Sequence, residues 1–432
     1  MPTSEPAAPG GAFHDFLEAA RRRGDLVVQP RMGFSDTARM RAGLIATRNA
    51  DAVTVGTLTL DSFTRVGDFA AADRALHQGR PLNGYPIVSH PTATTRTMVE
   101  GVSGPGFPIQ VRHGSPLPGR IFDALIDAGI DATEGGPISY CLPYSRTPVQ
   151  KSVEAWKEAC GKLASLRDRG VEPHLESFGG CMLGQLCPPS LLIAITVLEG
   201  LFFRQHGIRS LSLSYAQQTS AEQDEEAVLA LHEIAADLLP NASWHVVVYA
   251  YMGLYPSTES GALGLVADAA RLAVRTGSTR LIVKTAAEAS RIPTIAENTT
   301  ALEVAAAAAR ATGRRRPPSA GTGIGDEARA IIDAVLDLND DIGKALVQAF
   351  AQGYLDVPYC LHPDNAGRTR SAISDRGHLE WSRTGSLPIA HLAPARRSAQ
   401  LTSSRLLQAL SYVKNRYDEA ATVGSPRQFE LT

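Results

Sequence analysis

The sequence predicts an α/β protein built on a closed (β/α)8 barrel of the TIM type, followed by a C-terminal α+β appendage. Short apolar runs alternate with amphipathic stretches from residue 26 onward, which is typical of parallel strands joined by crossover helices. Such units form either an open doubly wound sheet or a closed barrel. In an open sheet functional residues gather at one switch point, whereas polar residues here follow many of the apolar runs. That distribution favours the barrel.

Nine apolar runs are candidate strands, which is one more than a barrel needs. They are LVVQP, AVTVGTL, YPIVSH, FPIQVRH, ISYCLPY, HLESFGG, SLSLSYA, HVVVYAYM and RLIVKTA. We therefore expect HLESFGG or YPIVSH to be partly irregular. Amphipathic stretches with Gly or Pro near their ends predict helices at residues 68–78, 119–128, 153–169 and 222–239.

The chain divides into four predicted parts. Residues 1–23 are an N-terminal arm and helix, 24–312 the TIM-barrel catalytic domain, 313–326 an exposed loop, and 327–432 an appendage of helices and a hairpin. The loop carries three consecutive arginines, which we interpret as solvated rather than as a nucleic-acid surface because no aromatic residues accompany them. Its GTGIG stretch follows two prolines instead of a strand, so it does not fit a dinucleotide-binding motif.

Bulk properties exclude several classes of partner. The 432 residues include 42 basic and 44 acidic side chains, and a formal net charge of -2 gives no strong field toward nucleic acid or an anionic membrane. Five cysteines without a CxxC pair predict reduced thiols and a cytoplasmic location. The first residues do not resemble a secretion signal, and the longest apolar segment, 191–203, is interrupted by Glu199 and too short to span a bilayer. The sequence holds no metal-ligand cluster, GxSxG or P-loop pattern.

Three arginines, Arg31, Arg65 and Arg112, each lie at or just past the end of an apolar run. A guanidinium offers a rigid fork of donors that matches a carboxylate at two points, so several of them suit a small molecule with two carboxylates. The competing interpretation is a set of surface salt bridges, since arginine is mostly exposed in proteins. Three arginines at strand ends favour the dicarboxylate site.

The segment TEGGPISYCLPY, residues 133–144, carries a second group of candidate residues. Glu134 precedes two glycines, which allow backbone to approach a ligand closely. Tyr140 and Tyr144 are four residues apart, and on a strand that spacing puts both phenols on one face. Glu134 is then a candidate to hold an amino group or accept its proton, while the phenols donate hydrogen bonds to a carboxylate. The alternative is a surface glutamate with a pair of core tyrosines.

Lys284 ends the run RLIVK, and Glu288 follows it by four residues. Spacing alone leaves three interpretations open: a Schiff base with a carbonyl substrate, a hydrogen bond to a ligand hydroxyl, or an ion pair with Glu288. His90 and His113 are separate histidines at strand ends, and such residues are more often structural than metal ligands.

A series of motifs matches one known enzyme family. They are QPRMG (29–33), TLDSFTR (59–65), LNGYP (82–86), QVRHG (110–114), EGGPISYCLPY (134–144), CPPS (187–190), YMGLYP (251–256), VKTAAEASRIPT (283–294) and DVPYCLHPDNAG (356–367). On these motifs, nearly the whole chain resembles the large catalytic subunit of adenosylcobalamin-dependent glutamate mutase, an enzyme also called methylaspartate mutase. The resemblance implies a TIM barrel that interconverts L-glutamate and threo-3-methyl-L-aspartate through radicals.

Matching motif positions imply roles for individual residues. The substrate-binding positions of the family correspond to Arg31, Arg65, Arg112, His113, Glu134, Tyr140 and Tyr144. The arginines would hold the carboxylates, and Glu134 would contact the amino group as a candidate catalytic base. The coenzyme-binding positions correspond to Gly33, Asn83, Pro143, Tyr255, Lys284, Glu288 and Ile292. Lys284 and Glu288 would hold the adenosyl ribose, an assignment that replaces the Schiff base.

The resemblance also implies a cofactor and a partner. The family shares adenosylcobalamin between this large chain and a small cobalamin-binding subunit with a DxHxxG signature, in a heterotetramer of two large and two small subunits. No DxHxxG signature occurs in this sequence, so the small subunit would be a separate chain. Neither nucleic acid nor a membrane is implied as a partner. Two alternatives remain, a mutase subunit for another amino dicarboxylate and a non-catalytic subunit that binds carboxylates.

Overall fold

Eight parallel strands form the central sheet of the computed structural model, which describes residues 11–182, 186–289, 291–313, 321–393 and 402–422. Strands β1 to β8 are Val27–Gln29, Gly56–Thr59, Ile109–Arg112, Ala132–Gly135, His174–Ser177, Ser210–Ala216, Ser243–Tyr249 and Arg280–Ile282. They pair in the order β1-β8-β7-β6-β5-β4-β3-β2. A parallel bridge between Val28 and Thr54 brings β1 to the segment before β2 and closes the sheet. The (β/α)8 barrel predicted from the sequence is confirmed.

Helices precede, separate and follow the strands. Helices α1 to α11 are Ala12–Arg23, Thr37–Asn49, Ser62–Val66, Phe69–His77, Thr92–Val99, Gly119–Asp127, Val149–Ala164, Pro189–Gln205, Ala221–Leu238, Glu259–Thr276 and Ile295–Arg310. Short 3-10 turns lie at Ser165–Arg169, Gly179–Cys181 and Ala286–Ala289. The amphipathic stretches that predicted helices correspond to α4, α6, α7 and α9.

Local chemistry explains several helix boundaries. Asp36 precedes α2 and Ser220 precedes α9, and each side chain accepts a hydrogen bond from a backbone N–H of the first turn. Gly277 ends α10 in a left-handed conformation with φ 74°. The long apolar segment is helix α8, which is buried on nearly all sides because further helices pack outside it.

Two of the nine candidate strands are wrong. YPIVSH consists of turns after an isolated bridge between Tyr85 and Leu60, and ISYCLPY is a series of turns. The fourth strand is instead ATEG, which has too few apolar residues to stand out in the sequence. The expected irregularity of HLESFGG or YPIVSH is confirmed for YPIVSH, whereas HLESFGG supplies β5. The expected placement of Tyr140 and Tyr144 on one face of a strand is therefore wrong, because both lie in the turns after β4.

Helix α1 covers the amino end of the barrel. The ring of Phe13 is fully buried, 5.0 Å from the ring of His174 at the start of β5. His14 Nδ1 lies 2.8 Å from the hydroxyl of Ser210 at the start of β6. Ligand access is therefore directed to the opposite, carboxyl end of the strands.

The remaining elements pack outside the barrel. They are α12 (Ile324–Leu336), α13 (Ile342–Gln352), the antiparallel pair β9 (Arg370–Ile373) and β10 (Leu379–Arg383), and α14 (Ser403–Thr422). Helix α12 packs on α8 and α9, α13 on α7 and α8, and α14 on α10. The predicted arm before residue 11 and residues 314–320, half of the predicted loop at 313–326, lie outside the described residues. Within the described part of the chain, no helix has both the length and the apolarity needed to cross a membrane.

Candidate active site

The predicted site residues lie at the carboxyl end of the barrel. Arg31 is two residues beyond β1, Arg65 lies in α3 after β2, and Arg112 ends β3. Glu134 lies in β4, and Lys284 is two residues beyond β8. Because all eight strands are parallel, these positions meet at one end of the barrel, where (β/α)8 enzymes place their active sites. We call this end the mouth.

Glu134 is the centre of a buried hydrogen-bond network. Its carboxylate is 1% exposed and accepts hydrogen bonds from the phenols of Tyr140 and Tyr249, the latter at 2.8 Å. Arg112 Nη2 lies 2.9 Å from the same carboxylate. Burial raises the pKa of Glu134, and the charge of Arg112 opposes that rise. The carboxyl group is therefore closer to exchanging a proton at neutral pH than an exposed glutamate is.

Arg112 is divided between several partners. Besides Glu134, its Nη1 donates to the Tyr249 phenol at 3.0 Å and lies 4.0 Å from a Glu176 carboxylate oxygen. Burial disfavours the charge, but the surrounding acidic and phenolic groups, Glu134 foremost and then Tyr249, Glu176 and Tyr140, together outweigh burial and raise the pKa of Arg112 well above its ordinary value. The guanidinium thus remains a cation although its side chain is only 4% exposed.

A second polar layer, which sequence reasoning missed, supports this network from below. Glu176 accepts hydrogen bonds from Arg280 and from Gln110 Nε2, the latter at 3.2 Å, and it shares with Glu134 the single proton of the Tyr249 phenol. Arg280 also donates to the Ser212 hydroxyl at 2.9 Å. Two buried arginines and two buried glutamates thus compensate one another inside the barrel. The available signal was a polar residue inside each apolar run, as in HLES and RLIV.

His113 packs in an aromatic cluster beside the network. Its ring stacks on Trp156, with centroids 5.7 Å apart, and meets the Tyr140 ring edge-on at 5.0 Å. Its Nδ1 accepts a hydrogen bond from the Ser115 backbone N–H at 3.1 Å. Burial, reinforced by the positive charge of Arg65, lowers the pKa of His113 to about 3. The imidazole is therefore neutral at neutral pH and orients Tyr140 by packing.

Gly135 is required by packing rather than by a ligand. It has φ 133°, and a Cβ there would lie 2.5 Å from the rings of both Tyr140 and Trp156. Our reason for the glycine, close approach of a ligand, is therefore wrong at this position. The missing side chain makes room for the phenol that reaches Glu134.

Two further arginines lie nearer to solvent at the mouth. Burial and the neighbouring charge of Arg31 lower the pKa of Arg65, whose Nε donates to the Asp61 carbonyl oxygen at 3.4 Å. Arg31 pairs with Glu288 at 3.5 Å. Tyr144 is 47% exposed, with its ring 5.9 Å from that of Tyr140. These groups surround the opening above the buried network.

Lys284 and Glu288 form the ion pair that was one of three interpretations from spacing. Lys284 Nζ is 3.8 Å from the Glu288 carboxylate and 3.4 Å from the Tyr251 carbonyl oxygen. The ammonium also lies over the Tyr255 ring, 4.7 Å from its centroid. Burial lowers the pKa of Lys284 to about 8, although Glu288 counteracts it. A charged pair that packs on the Tyr255 ring lines this side of the mouth.

The other positions assigned to the coenzyme are more dispersed. Gly33 is a close-packing glycine, since a Cβ there would lie 2.0 Å from the Thr59 carbonyl oxygen. Asn83 Oδ1 accepts a hydrogen bond, at 2.9 Å, from the first backbone N–H of the helix that carries Arg65. Pro143 is half-buried, and Ile292 is 50% exposed. Among the described residues, no side-chain hydrogen bond or ion pair joins these four positions to the network around Glu134.

Three buried polar atoms near the Lys284 pair have no hydrogen-bond partner among the described residues. They are Tyr255 Oη, Thr285 Oγ1 and Arg31 Nε. Buried polar groups normally have partners, so unpaired ones at a site point to a bound group. Hydroxyl-rich ligands such as a ribose supply matching donors and acceptors. The residues on this side of the mouth therefore suit a ligand that carries hydroxyl groups.

Comparison with known proteins identifies the family. Residues 8–405 match the family described as Methylaspartate mutase E chain (MutE). The glutamate mutase epsilon subunit of Desulfitobacterium hafniense is 30% identical over 395 residues, 87% of this chain and 80% of the relative. That of Halobacterium salinarum is 32% identical over 344 residues, 77% of this chain and 71% of the relative.

A solved structure of HMG-CoA lyase from Brucella melitensis matches with a TM-score of 0.34 and 12% identity, over 60% of this chain and 80% of that chain. That score is too low to support an inference about function. The family match extends over nearly all of the chain and includes every strand of the barrel. The chain therefore belongs to the methylaspartate mutase E chain family and is an isomerase of the mutase type.

Proposed function

We propose that this chain is the catalytic subunit of a coenzyme-B12-dependent mutase that interconverts L-glutamate and threo-3-methyl-L-aspartate by a radical mechanism. The observation that carries the proposal is the buried Glu134, held by Arg112 and two phenols beneath Arg31 and Arg65, in a chain of this family. Its relatives bear the name glutamate mutase epsilon subunit, which supports glutamate as substrate.

The arginines suit the two carboxylates of glutamate. The charge of Arg31 lowers the pKa of Arg65 in addition to the effect of burial, so an anion between the two would relieve a repulsion. Arg112, deeper in the barrel, provides a third guanidinium. Holding both ends of the substrate keeps the two halves of the molecule in place while its carbon skeleton rearranges.

Glu134 suits the amino group of the substrate. A carboxylate with a raised pKa can hold an ammonium group or take its proton, and the two tyrosine donors fix its orientation. Burial raises the pKa of both phenols, so they keep their protons at neutral pH. The depth of the network excludes water, which protects reactive intermediates from side reactions.

Lys284 and Glu288 would hold the ribose hydroxyls of the coenzyme, with Tyr255 and Thr285 as further hydrogen-bonding groups. When bound, adenosylcobalamin supplies the organic radical that removes hydrogen from the substrate. The lowered pKa of Lys284, about 8, leaves the ammonium predominantly charged at neutral pH, so it can donate to a hydroxyl. The chain itself contributes binding, orientation and exclusion of water.

A partner subunit would cover the mouth. Of the nine large apolar side chains that are exposed among the described residues, six follow barrel strands: Phe63, Val66, Leu117, Tyr144, Leu254 and Ile292. Exposed apolar groups gathered at one end of a barrel are typical of an interaction surface. They support docking of a small cobalamin-binding subunit with a DxHxxG signature, and we expect two large and two small subunits in the assembly.

The function is tested by an anaerobic assay with this chain, such a small subunit, adenosylcobalamin and L-glutamate, following methylaspartate by NMR. We expect product only when all four components are present. Other amino dicarboxylates, such as L-2-aminoadipate, are assayed in parallel. Conversion of one of them without conversion of glutamate would contradict the proposed substrate, and binding without turnover of any would indicate a non-catalytic subunit.

A further inference from the structure

Glu199 is a fully buried carboxylate in the middle of the apolar helix α8, and none of the steps above uses it. Its Oε1 accepts hydrogen bonds from the backbone N–H groups of Ile138, at 3.1 Å, and Ser139, at 2.8 Å. Its Oε2 accepts from the hydroxyls of Ser139 and Ser177, both at 2.9 Å. One side chain thus joins the turns after β4 to the end of β5.

The burial of the Glu199 carboxylate does not improve the packing of helix α8. Burying a carboxylate in an apolar helix is unfavourable unless hydrogen bonds compensate it, and an apolar residue would suit the helix better. Gly136 also accommodates the carboxylate, because a Cβ there would lie 2.1 Å from its atoms. Glu199 in α8 therefore requires a glycine at position 136, in a separate segment of the chain.

The anchored turns carry the phenol of the active site. Glu134 lies two residues before Gly136, and Tyr140 directly follows Ser139. The Tyr140 phenol returns across the turn to donate to Glu134. A shift of the turn would move the phenol relative to the carboxylate that it orients.

We propose that Glu199 is a positioning residue, which fixes the turn at residues 136–139 so that Tyr140 reaches Glu134. The proposal rests on the proposed function for what the Tyr140–Glu134 pair does in turnover. The anchoring itself does not depend on that function. The two parts are therefore tested by separate measurements.

Anchoring is tested by hydrogen exchange on the isolated full-length chain. Glu199→Leu suits an apolar helix but removes both acceptor oxygens, whereas Glu199→Gln keeps one of them. We expect the amides of Ile138 and Ser139 to exchange at least about tenfold faster in the leucine variant, because they lose their acceptor. Unchanged exchange in this variant would overturn the proposal, whatever the enzyme does.

Positioning is tested by turnover of the reconstituted enzyme in a double-mutant cycle with Tyr140→Phe. If Glu199 acts through the phenol, Glu199→Leu lowers kcat at least about tenfold in the wild-type background but less than about threefold when Tyr140→Phe is present. We also expect Glu199→Gln to recover most of the lost kcat. Losses that multiply in the double variant, or a glutamine variant as impaired as the leucine one, would overturn the role.

A matched control is Asp224→Asn. Asp224 is another buried carboxylate, and it accepts hydrogen bonds from the Gln218 backbone N–H at 3.0 Å and the Tyr215 phenol at 2.8 Å. It anchors the loop after β6, which carries none of the proposed site residues. We expect the fold-losses of kcat caused by Asp224→Asn and by Tyr140→Phe to multiply in the double variant, because the two sites are independent. The wild-type chain is assayed in parallel, so absence of mutase activity there would refute the proposed function and leave the exchange result intact.

Discussion

Replacing Glu134 by glutamine separates the chemical role of its charge from its shape. The amide is nearly isosteric, but its nitrogen cannot accept a hydrogen bond, and Arg112 loses the carboxylate that lies 2.9 Å away. The other carboxylate near Arg112 belongs to Glu176, at 4.0 Å. The variant therefore leaves a buried cation with a weaker partner.

Removing one member of a buried ion pair lowers the free energy of unfolding by roughly 3 to 5 kcal/mol. Because the glutamine keeps one acceptor oxygen, we expect Glu134→Gln to lie near the lower end of this range, at about 3 kcal/mol. With about 2.1 cal/mol/K of unfolding entropy per residue, a chain of 432 residues loses about 3 °C in Tm for that cost. The fold should survive. Loss of a proton-accepting group should lower kcat by about 100-fold or more, equivalent to about 2.7 kcal/mol in the barrier.

The assay is methylaspartate formation by the reconstituted enzyme, with Tm from calorimetry on the same preparations. Glu176→Gln is the matched control, because Glu176 is equally buried but lies one layer below the mouth, paired with Arg280. We expect a similar loss of Tm and a fall in kcat of less than about tenfold. An unchanged kcat in Glu134→Gln, or equal losses of kcat in both variants, would refute the assigned role.

Three further predictions follow from the same geometry. Arg112→Lys should raise the KM for glutamate at least about tenfold, because an ammonium lacks the planar fork whose two nitrogens contact a carboxylate and the Tyr249 phenol from fixed positions; unaltered KM would contradict a substrate contact. The pKa of His113 is about 3 in the folded chain and about 6.5 in the unfolded chain, so only the unfolded chain binds a proton there as the pH falls from 7 to 5. We therefore expect the free energy of unfolding to decrease by about 2 kcal/mol over that range. Chemical unfolding of His113→Gln at both pH values should show a correspondingly smaller loss, and an identical loss would contradict the shift. Gly135→Ala should destabilise the fold by about 3 kcal/mol through strain and a clash with Tyr140, measured by urea unfolding, and a neutral effect would contradict the packing described.

The barrel could be predicted because its signals are local. Apolar runs such as SLSLSYA and HVVVYAYM mark buried strands, and all parallel strands place their carboxyl ends together. Arg31, Arg112 and Lys284 were therefore expected at one end of the molecule, as the structure has them. The errors arose where apolar residues do not imply a strand. ISYCLPY is apolar because it packs as turns inside the site, while ATEG is a strand with little apolar content.

The supporting network could not be predicted, because its contacts join residues far apart in the chain. Tyr249 reaches Glu134 across 115 positions, and Arg280 reaches Glu176 across 104. Each appears in the sequence only as one polar residue in an apolar run, a pattern that does not reveal its partner. The isolated acid in the apolar helix α8, Glu199, was visible in the same way, but its target at residues 138–139 was not.

The most direct test of the proposed site is a crystal structure of this chain with a small cobalamin-binding subunit, the coenzyme and L-glutamate. We expect the substrate carboxylates within hydrogen-bonding distance of Arg31, Arg65 and Arg112, and its amino group on Glu134. Glutamate bound outside the barrel mouth, or with its amino group turned away from Glu134, would contradict the assignment of these residues to substrate.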